Sequence, residues 1–275
     1  MSSRCLDRIG LVAALLASVP AAPARAEEAA QPLRVCADPD NLPYSRRDGS
    51  GFELRIAQLL AAELKRPLEV YWLPQRRGFV RKTVGEDHCD AWMGVPAGFE
   101  RLLTTRPYYR SGYVFVSRVA DAQPLRAFDD PRLPALRIGV QLIGNDLAAT
   151  PPGHALARRG AVQRVRGYTI DGGDGPAAQR IAQALADGQL DAALVWGPQA
   201  GYFAEHAPQP LQVSLAHAPE GMTMPFEFGI AVGVRKGDQA LRDALQAALD
   251  AHRAEVDAVL AEYAVPRTDR PEGAR

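Results

Sequence analysis

The stretch Gly94-Val-Pro-Ala-Gly-Phe-Glu-Arg-Leu-Leu-Thr-Thr-Arg-Pro-Tyr-Tyr109 connects two apolar segments of strand character, residues 91–95 and 113–116. Glycine and proline punctuate it, so the chain leaves one strand through a loop that carries Arg101 and returns towards another strand through Pro107-Tyr108-Tyr109. Upstream, residues 33–37 read as a strand, and Phe52, Ile56, Leu59, Leu60 and Leu64 recur at helical spacing until Pro67 ends the run. Residues 68–73 form a second strand, a short helix is expected near 76–84, and 90–95 is the third strand. The order βαβαβ implies a parallel sheet with right-handed crossovers.

A second round follows the Pro-rich, charged stretch 121–134: strand 137–141, helix near 146–159, strand 162–168, helix 177–187 and strand 191–195. Ile181, Ala184 and Leu185 give the last helix an apolar face, and Gly188 supplies its stop. The chain returns through a strand at 226–234, after which Asp238 is suited to cap a helix bearing Leu241, Leu245, Ala248 and Leu249. Val256, Val259, Leu260 and Tyr263 continue the apolar face. Two similar α/β lobes are expected.

The first 26 residues read as a secretory signal, with Arg4 and Arg8 before an apolar run and Ala24-Arg25-Ala26 as an A-x-A cleavage site. That run is too short to span a bilayer, and no later segment is apolar enough to do so. The chain carries 32 basic and 32 acidic residues; without the signal, 29 basic and 31 acidic remain, a net charge of about −2. Such balance argues against general nucleic-acid or anionic-membrane binding. A free periplasmic protein beginning near Glu27 is the expected product.

Cys36 and Cys89 remain in the mature chain, and an even count in an oxidising compartment favours a disulfide. The alternative is two buried thiols, because Cys36 sits late in one strand and Cys89 at the start of another. Metal binding has less support, since the five histidines are scattered without C-x-x-C or H-x-x-x-H spacing. Asp171-Gly172-Gly173-Asp174-Gly175 lacks the ordered oxygen ligands of an EF-hand and reads as a turn before a helix start at Pro176.

The loop from Gly94 to Tyr109 resembles the cleft-crossing loop of type II periplasmic solute-binding proteins, in which an arginine meets an anionic ligand before a Pro-Tyr-Tyr leads to the second lobe. Four further strings narrow the resemblance: Arg34-Val35-Cys36-Ala37-Asp38-Pro39, Pro74-Gln75-Arg76-Arg77-Gly78-Phe79-Val80-Arg81, Leu103 to Ser111, and Asp191-Ala192-Ala193-Leu194-Val195-Trp196-Gly197-Pro198. Together they are similar to the solute-binding-like proteins of quinoprotein dehydrogenase clusters, the MxaJ/XoxJ type of methanol oxidation systems. The resemblance implies an α/β type II periplasmic binding protein fold, two α/β lobes joined by a two-segment hinge with a cleft between them. Lobe one would be 33–116 plus 225–267 and lobe two 117–224, with crossings near 112–118 and 224–229 and a flexible tail at 268–275.

In open parallel sheets ligands bind beyond the carboxyl ends of the strands. The expected cleft residues are therefore Asp38, Asn41, Tyr44, Arg76, Arg77, Pro96 and Arg101 on one rim, and Leu142, Asn145 and Trp196 on the other. Arg101 offers a guanidinium fork for a carboxylate or other planar anion; the other reading is a surface arginine, or one paired with Glu100, Glu53 or Asp38. Arg76-Arg77 would grip an acidic ligand or partner, or simply solvate a helix start beside a core Phe79. Trp92, inside a strand, is expected in the core, and Trp196, just after one, in the cleft.

Amino-acid binders place small hydroxyl residues where this chain has Gly94 and Pro96, and often an aspartate for the ligand ammonium where it has Trp196. No G-x-S-x-G, Walker loop or G-x-G-x-x-G occurs, so no catalytic residues and no cofactor are assigned. An enzyme on this fold, such as a dehydratase, would need a buried carboxylate near Arg101, with Glu53, Asp38 and Asp146 as nominees. The resemblance implies a monomeric accessory protein that assists maturation or activation of a pyrroloquinoline-quinone alcohol or methanol dehydrogenase, with the enzyme and its cytochrome c as partners. The competing function is the substrate-binding component of an ABC transporter for a small organic anion.

The loss of the zwitterion clamp leads to a first prediction. Calorimetry against a panel of ordinary α-amino acids should show no binding in the micromolar range, which corresponds to about 8 kcal/mol; a micromolar ligand among them would restore the transport reading.

Overall fold

The computed structural model describes residues 31–121, 123–143, 148–170 and 175–270. The expected signal segment and Asn145 lie outside them, as do residues 171–174 of the expected turn. Nine principal strands run in chain order: β1 (Leu33–Ala37), β2 (Leu68–Trp72), β3 (Ala91–Pro96), β4 (Tyr109–Arg118), β5 (Ile138–Ile143), β6 (Val165–Thr169), β7 (Ala192–Trp196), β8 (Leu211–Leu215) and β9 (Glu227–Val234). Six helices accompany them: α1 (Phe52–Glu63), α2 (Pro151–Arg158), α3 (Ala177–Ala186), α4 (Gly197–Glu205), α5 (Gln239–Ala251) and α6 (Arg253–Glu262).

The strands follow the order β6-β5-β7-β4-β9-β3-β1-β2, with β8 also paired to β4. Within each half the strands joined by helices are parallel: β1 with β2 and β3, β5 with β6 and β7. Two of the antiparallel strands, β4 and β9, join the halves. Residues 109–112 of β4 pair with β9, whereas its residues 113–117 pair with β7 and 114–118 with β8. β4 therefore changes partners between Gly112 and Tyr113, and β9 continues from β4 to β3.

Each half has its own apolar core. Phe52, Ile56 and Leu60 stack along one face of α1 at the four-residue spacing seen in the sequence, and all are fully buried with Met93, Val232 and Leu260. Each such side chain contributes about 1.5–3 kcal/mol of transfer free energy. Lys65, at positive φ, and the bond from the Arg66 amide to the Ala61 carbonyl close the helix before Pro67. In the other half, Phe115, Ile138, Leu156 and Leu194 form one cluster, and Val114, Ile181, Leu185 and Val195 another. Trp196 and Phe228 pack against the cores of both halves. The Asp238 cap is present, its carboxylate accepting from the Leu241 amide at 3.1 Å.

Differences from the sequence reading follow from local polarity. The helix expected near 76–84 is one α turn, Phe79–Lys82, and one 3-10 turn, Val84–Glu86; Phe79 and Val84 are buried in the core there, and Val80 packs against it from the side. β8 was not anticipated; its Gln212 and Ser214 interrupt the apolar pattern, yet their side chains bond to Arg118 and Leu125 carbonyls. Of the tail expected from 268, Thr268 donates its amide to the Arg110 carbonyl, and Arg270 pairs with Asp257; residues 271–275 lie outside the described chain.

Cys36 and Cys89 are bonded, with their Cα atoms 5.6 Å apart. Cys36 leaves β1 and Cys89 precedes β3, its parallel neighbour, so sheet pairing brings them within reach. The link spans 53 residues, for which chain entropy alone predicts about 4 kcal/mol of stabilisation. Replacing both cysteines by alanine should lower the unfolding free energy by roughly that amount in urea titrations; an unchanged midpoint would mean that the bond restrains nothing in the unfolded chain.

Candidate functional site

A cleft of about 530 Å³ opens between the halves at the carboxyl ends of the parallel strands. From the first half it is lined by residues 38–41, Tyr44, Glu53, Pro74, Gln75, Arg76 and Gly94, and from the second by Gln141, Ile143, Thr150, Ile170, Trp196 and Gln199. Tyr109, Tyr113 and Ile230, on the strands shared by the halves, complete it.

Asp38 leaves β1 and binds the neighbouring loops together. Its two carboxylate oxygens accept from the Asp40 amide at 2.9 Å and the Gln75 amide at 2.5 Å, and its carbonyl accepts from Ser45 Oγ at 2.9 Å. Asn41 Nδ2 donates to Gln75 Oε1 at 3.0 Å. These two residues therefore build the rim with their polar groups already engaged. Arg76 is exposed beside them.

Across the cleft, Trp196 ends β7. Its amide donates to Gln141 Oε1 at 2.9 Å, and Gln141 Nε2 donates to Gln199 Oε1 at 2.7 Å. Gln141 is a buried amide in an apolar strand, and this pairing offsets its burial. The Trp196 ring meets Tyr113 edge-on, with centroids 5.5 Å apart.

Glu53, named in the sequence only as a nominee for a buried carboxylate, is enclosed here. It lies in the first turn of α1, is 5 % exposed, lines the cleft, and accepts no hydrogen bond from the described residues. An alanine Cβ at position 94 would stand 2.4 Å from its Oε1, so the carboxyl occupies the room that a side chain on β3 would take. That explains why glycine stands at position 94. Burial pushes the Glu53 carboxyl from its ordinary 4.5 up to about 8. Burial likewise raises the Tyr44, Tyr108 and Tyr109 phenols well above their usual range and Tyr113 to about 12, so these groups stay neutral around it.

Several expected cleft residues are elsewhere. Arg101 lines a separate groove of about 200 Å³ with Arg81, Arg235 and Lys236, and pairs with none of Glu100, Glu53 or Asp38. The turn after β3 is closed by bonds from the Phe99 amide to Pro96 and the Leu102 amide to Phe99. Leu102 and Phe99 anchor it in the core with the disulfide, which leaves Arg101 on the outer side. Pro96 begins that turn and Arg77 is exposed in the next one; neither lines the cleft. Leu142 is also absent from the lining, because side chains alternate along β5 and those of Gln141 and Ile143 face the cleft. Asp38, Asn41, Tyr44, Arg76 and Trp196 do line it. Phe79 is buried, and Trp92 packs beside it at 5.1 Å.

This architecture, a cleft between two α/β halves that share two strands, is that of an extracellular solute-binding protein. The chain belongs to the bacterial extracellular solute-binding proteins, family 3, whose pattern matches residues 33–264. Within that family it is similar to protein MoxJ of Paracoccus denitrificans, 32% identical over 254 residues that cover 85% of this chain and 88% of the relative. Protein MoxJ of Methylorubrum extorquens is likewise 32% identical, over 264 residues covering 89% of this chain and 86% of the relative. Among solved structures, the periplasmic binding protein XoxJ from Methylobacterium extorquens AM1 superposes with a TM-score of 0.72 at 38% identity, covering 86% of this chain and 98% of that one.

A carboxyl whose pKa is raised on folding stabilises the folded state fully below about pH 4.5, and that contribution is lost as pH rises through about 8. Urea unfolding of wild type and Glu53→Gln should therefore diverge with pH, the variant gaining relative stability between about pH 5 and about pH 8.5. A difference that stays constant across that window would show that Glu53 does not titrate within it.

Proposed function

We propose that this protein is a periplasmic accessory of a quinoprotein alcohol or methanol dehydrogenase, assisting its maturation or activation by receiving a segment of the enzyme in the cleft. The observation that carries the reading is the similarity to MoxJ and XoxJ over nearly the whole described chain. The cleft supports it. Tyr44, Tyr113 and Trp196 offer aromatic surface there, and tryptophan is among the residues that most often anchor protein interfaces. Ile143 and Ile170 on the second-half rim are 46% and 42% exposed, apolar area that a partner would cover.

In this reading the lobes are residues 33–116 plus 225–267 and residues 117–224, and closure occurs about residues 112–118 and 224–229 while the protein acts as a monomer. A binding role fits the family better than catalysis does. The dehydratase alternative needs a buried carboxylate beside Arg101, and Glu53 and Arg101 line different cavities. Transport of an organic anion loses its main support for the same reason.

Cross-linking in cells followed by capture tests the partnership. Wild type and Arg101→Ala should both retain a quinoprotein dehydrogenase, whereas Trp196→Ala should weaken capture by about tenfold or more, as expected for an anchoring tryptophan. Loss with Arg101→Ala alone would move the interface to the outer basic groove, and capture of no dehydrogenase would remove the accessory reading.

A further inference from the structure

Two polar side chains that line the cleft, one from each half, find no partner among the described residues. Glu53 is 5 % exposed and receives no hydrogen bond from the described residues. Thr150, 1 % exposed at the start of α2, neither caps that helix nor finds any partner for its hydroxyl. Buried polar groups are normally satisfied, and leaving one unpaired costs about 1–3 kcal/mol. Two such groups lining one cavity point to a ligand that satisfies them.

The surroundings select the ligand's charge. The charged side chains of the described lining are Asp38, Asp40, Glu53 and the exposed Arg76, an excess of acid. Asp38 is committed to backbone amides, which leaves Glu53 as the buried carboxyl able to act as a counter-ion. Around it stand Tyr44, Tyr109, Tyr113 and Trp196, whose ring faces attract cations. Among the described lining residues, an anion would meet acidic groups and one rim arginine, Arg76.

We infer that the cleft binds a small organic ammonium ion, with Glu53 as its counter-ion, the tyrosine and tryptophan rings as its walls, and Thr150 as partner for a polar group on the ligand. The site differs from an amino-acid clamp in that the described residues place no cation on its floor for a carboxylate. Both this inference and the accessory role place an occupant in this cleft, but one is read by small-molecule calorimetry and the other by capture of a dehydrogenase, so they can fail separately.

Proton linkage separates a cation from a neutral ligand. Around Glu53 are Tyr44 from the first loop, Tyr108 just before β4, and Tyr109 and Tyr113 in β4, all kept neutral by burial, with Asp38, Asp40 and Arg76 at the rim. A cation favours ionised Glu53, so its affinity rises with pH, whereas a hydrogen-bond acceptor favours the protonated acid and binds more weakly as pH rises.

The probe is choline, compared by calorimetry with its uncharged carbon isostere 3,3-dimethyl-1-butanol and with acetate, using the mature protein. Choline should bind at least about tenfold more tightly than the isostere, and acetate should not bind. Choline affinity should rise about tenfold between pH 7 and pH 9. Glu53→Gln, checked for folding by circular dichroism, should weaken choline about tenfold and flatten its pH dependence without affecting the isostere, and Thr150→Val should weaken choline less. Equal binding of choline and its isostere, affinity that falls with pH, or no choline binding at about 10 mM would overturn the inference. The comparison with the isostere and the wild-type pH series decide the matter even if a variant does not fold.

Discussion

Strand β4 is hydrogen-bonded to β9 over residues 109–112 and to β7 and β8 beyond them. One strand thus belongs to both halves of the molecule, and β9 repeats the arrangement by passing on to β3. The backbone ladders hold each half together, and β4 changes partners between Gly112 and Tyr113. Residues at and beside that point line the cleft: Tyr109, Tyr113, Trp196 and Ile230.

The end of the chain reinforces that junction. Ser111 Oγ donates to the Pro266 carbonyl at 2.6 Å, and Arg267, nearly enclosed, pairs with Asp257 and Asp269 at 3.0 and 2.6 Å. Tyr202 of α4 stacks on Tyr263 next to α6, with centroids 5.7 Å apart. These contacts tie a helix of the second half to the terminal segment of the first. The aromatic surface of the cleft is consequently supported from behind, since Trp196 precedes α4 and packs against Phe228 at 5.7 Å.

The chemistry of the cleft follows from which polar groups are already occupied. Asp38, Asn41, Gln141 and Gln199 bond to one another's loops or to backbone and hold shape. Glu53 and Thr150 are left over, and Gly94 gives Glu53 its space. Buried carboxyls without partners hold their protons, so the cleft floor is neutral until something of opposite charge enters. The outer groove, with Arg81, Arg101, Arg235 and Lys236, carries basic charge on a different face.

Much of the fold was legible in the sequence because periodicity reports burial directly. β1 matches its expected bounds, α1 follows the Phe52-Ile56-Leu60 spacing, and the Asp238 cap and the Cys36–Cys89 bond are present. Asp38, Asn41, Tyr44, Arg76 and Trp196 could be placed at the cleft because they lie at strand ends, where topology dictates position. Arg101, Arg77, Pro96 and Leu142 could not be placed in this way, since the direction of a loop side chain depends on how its turn closes and the phase of a strand on its sheet. Glu53 could be no more than one nominee among three for a related reason. In sequence it is an acid in the first turn of an amphipathic helix, where solvent exposure is the ordinary expectation. Only packing α1 against β3, with a glycine opposite, encloses that carboxyl, because burial depends on neighbours distant along the chain.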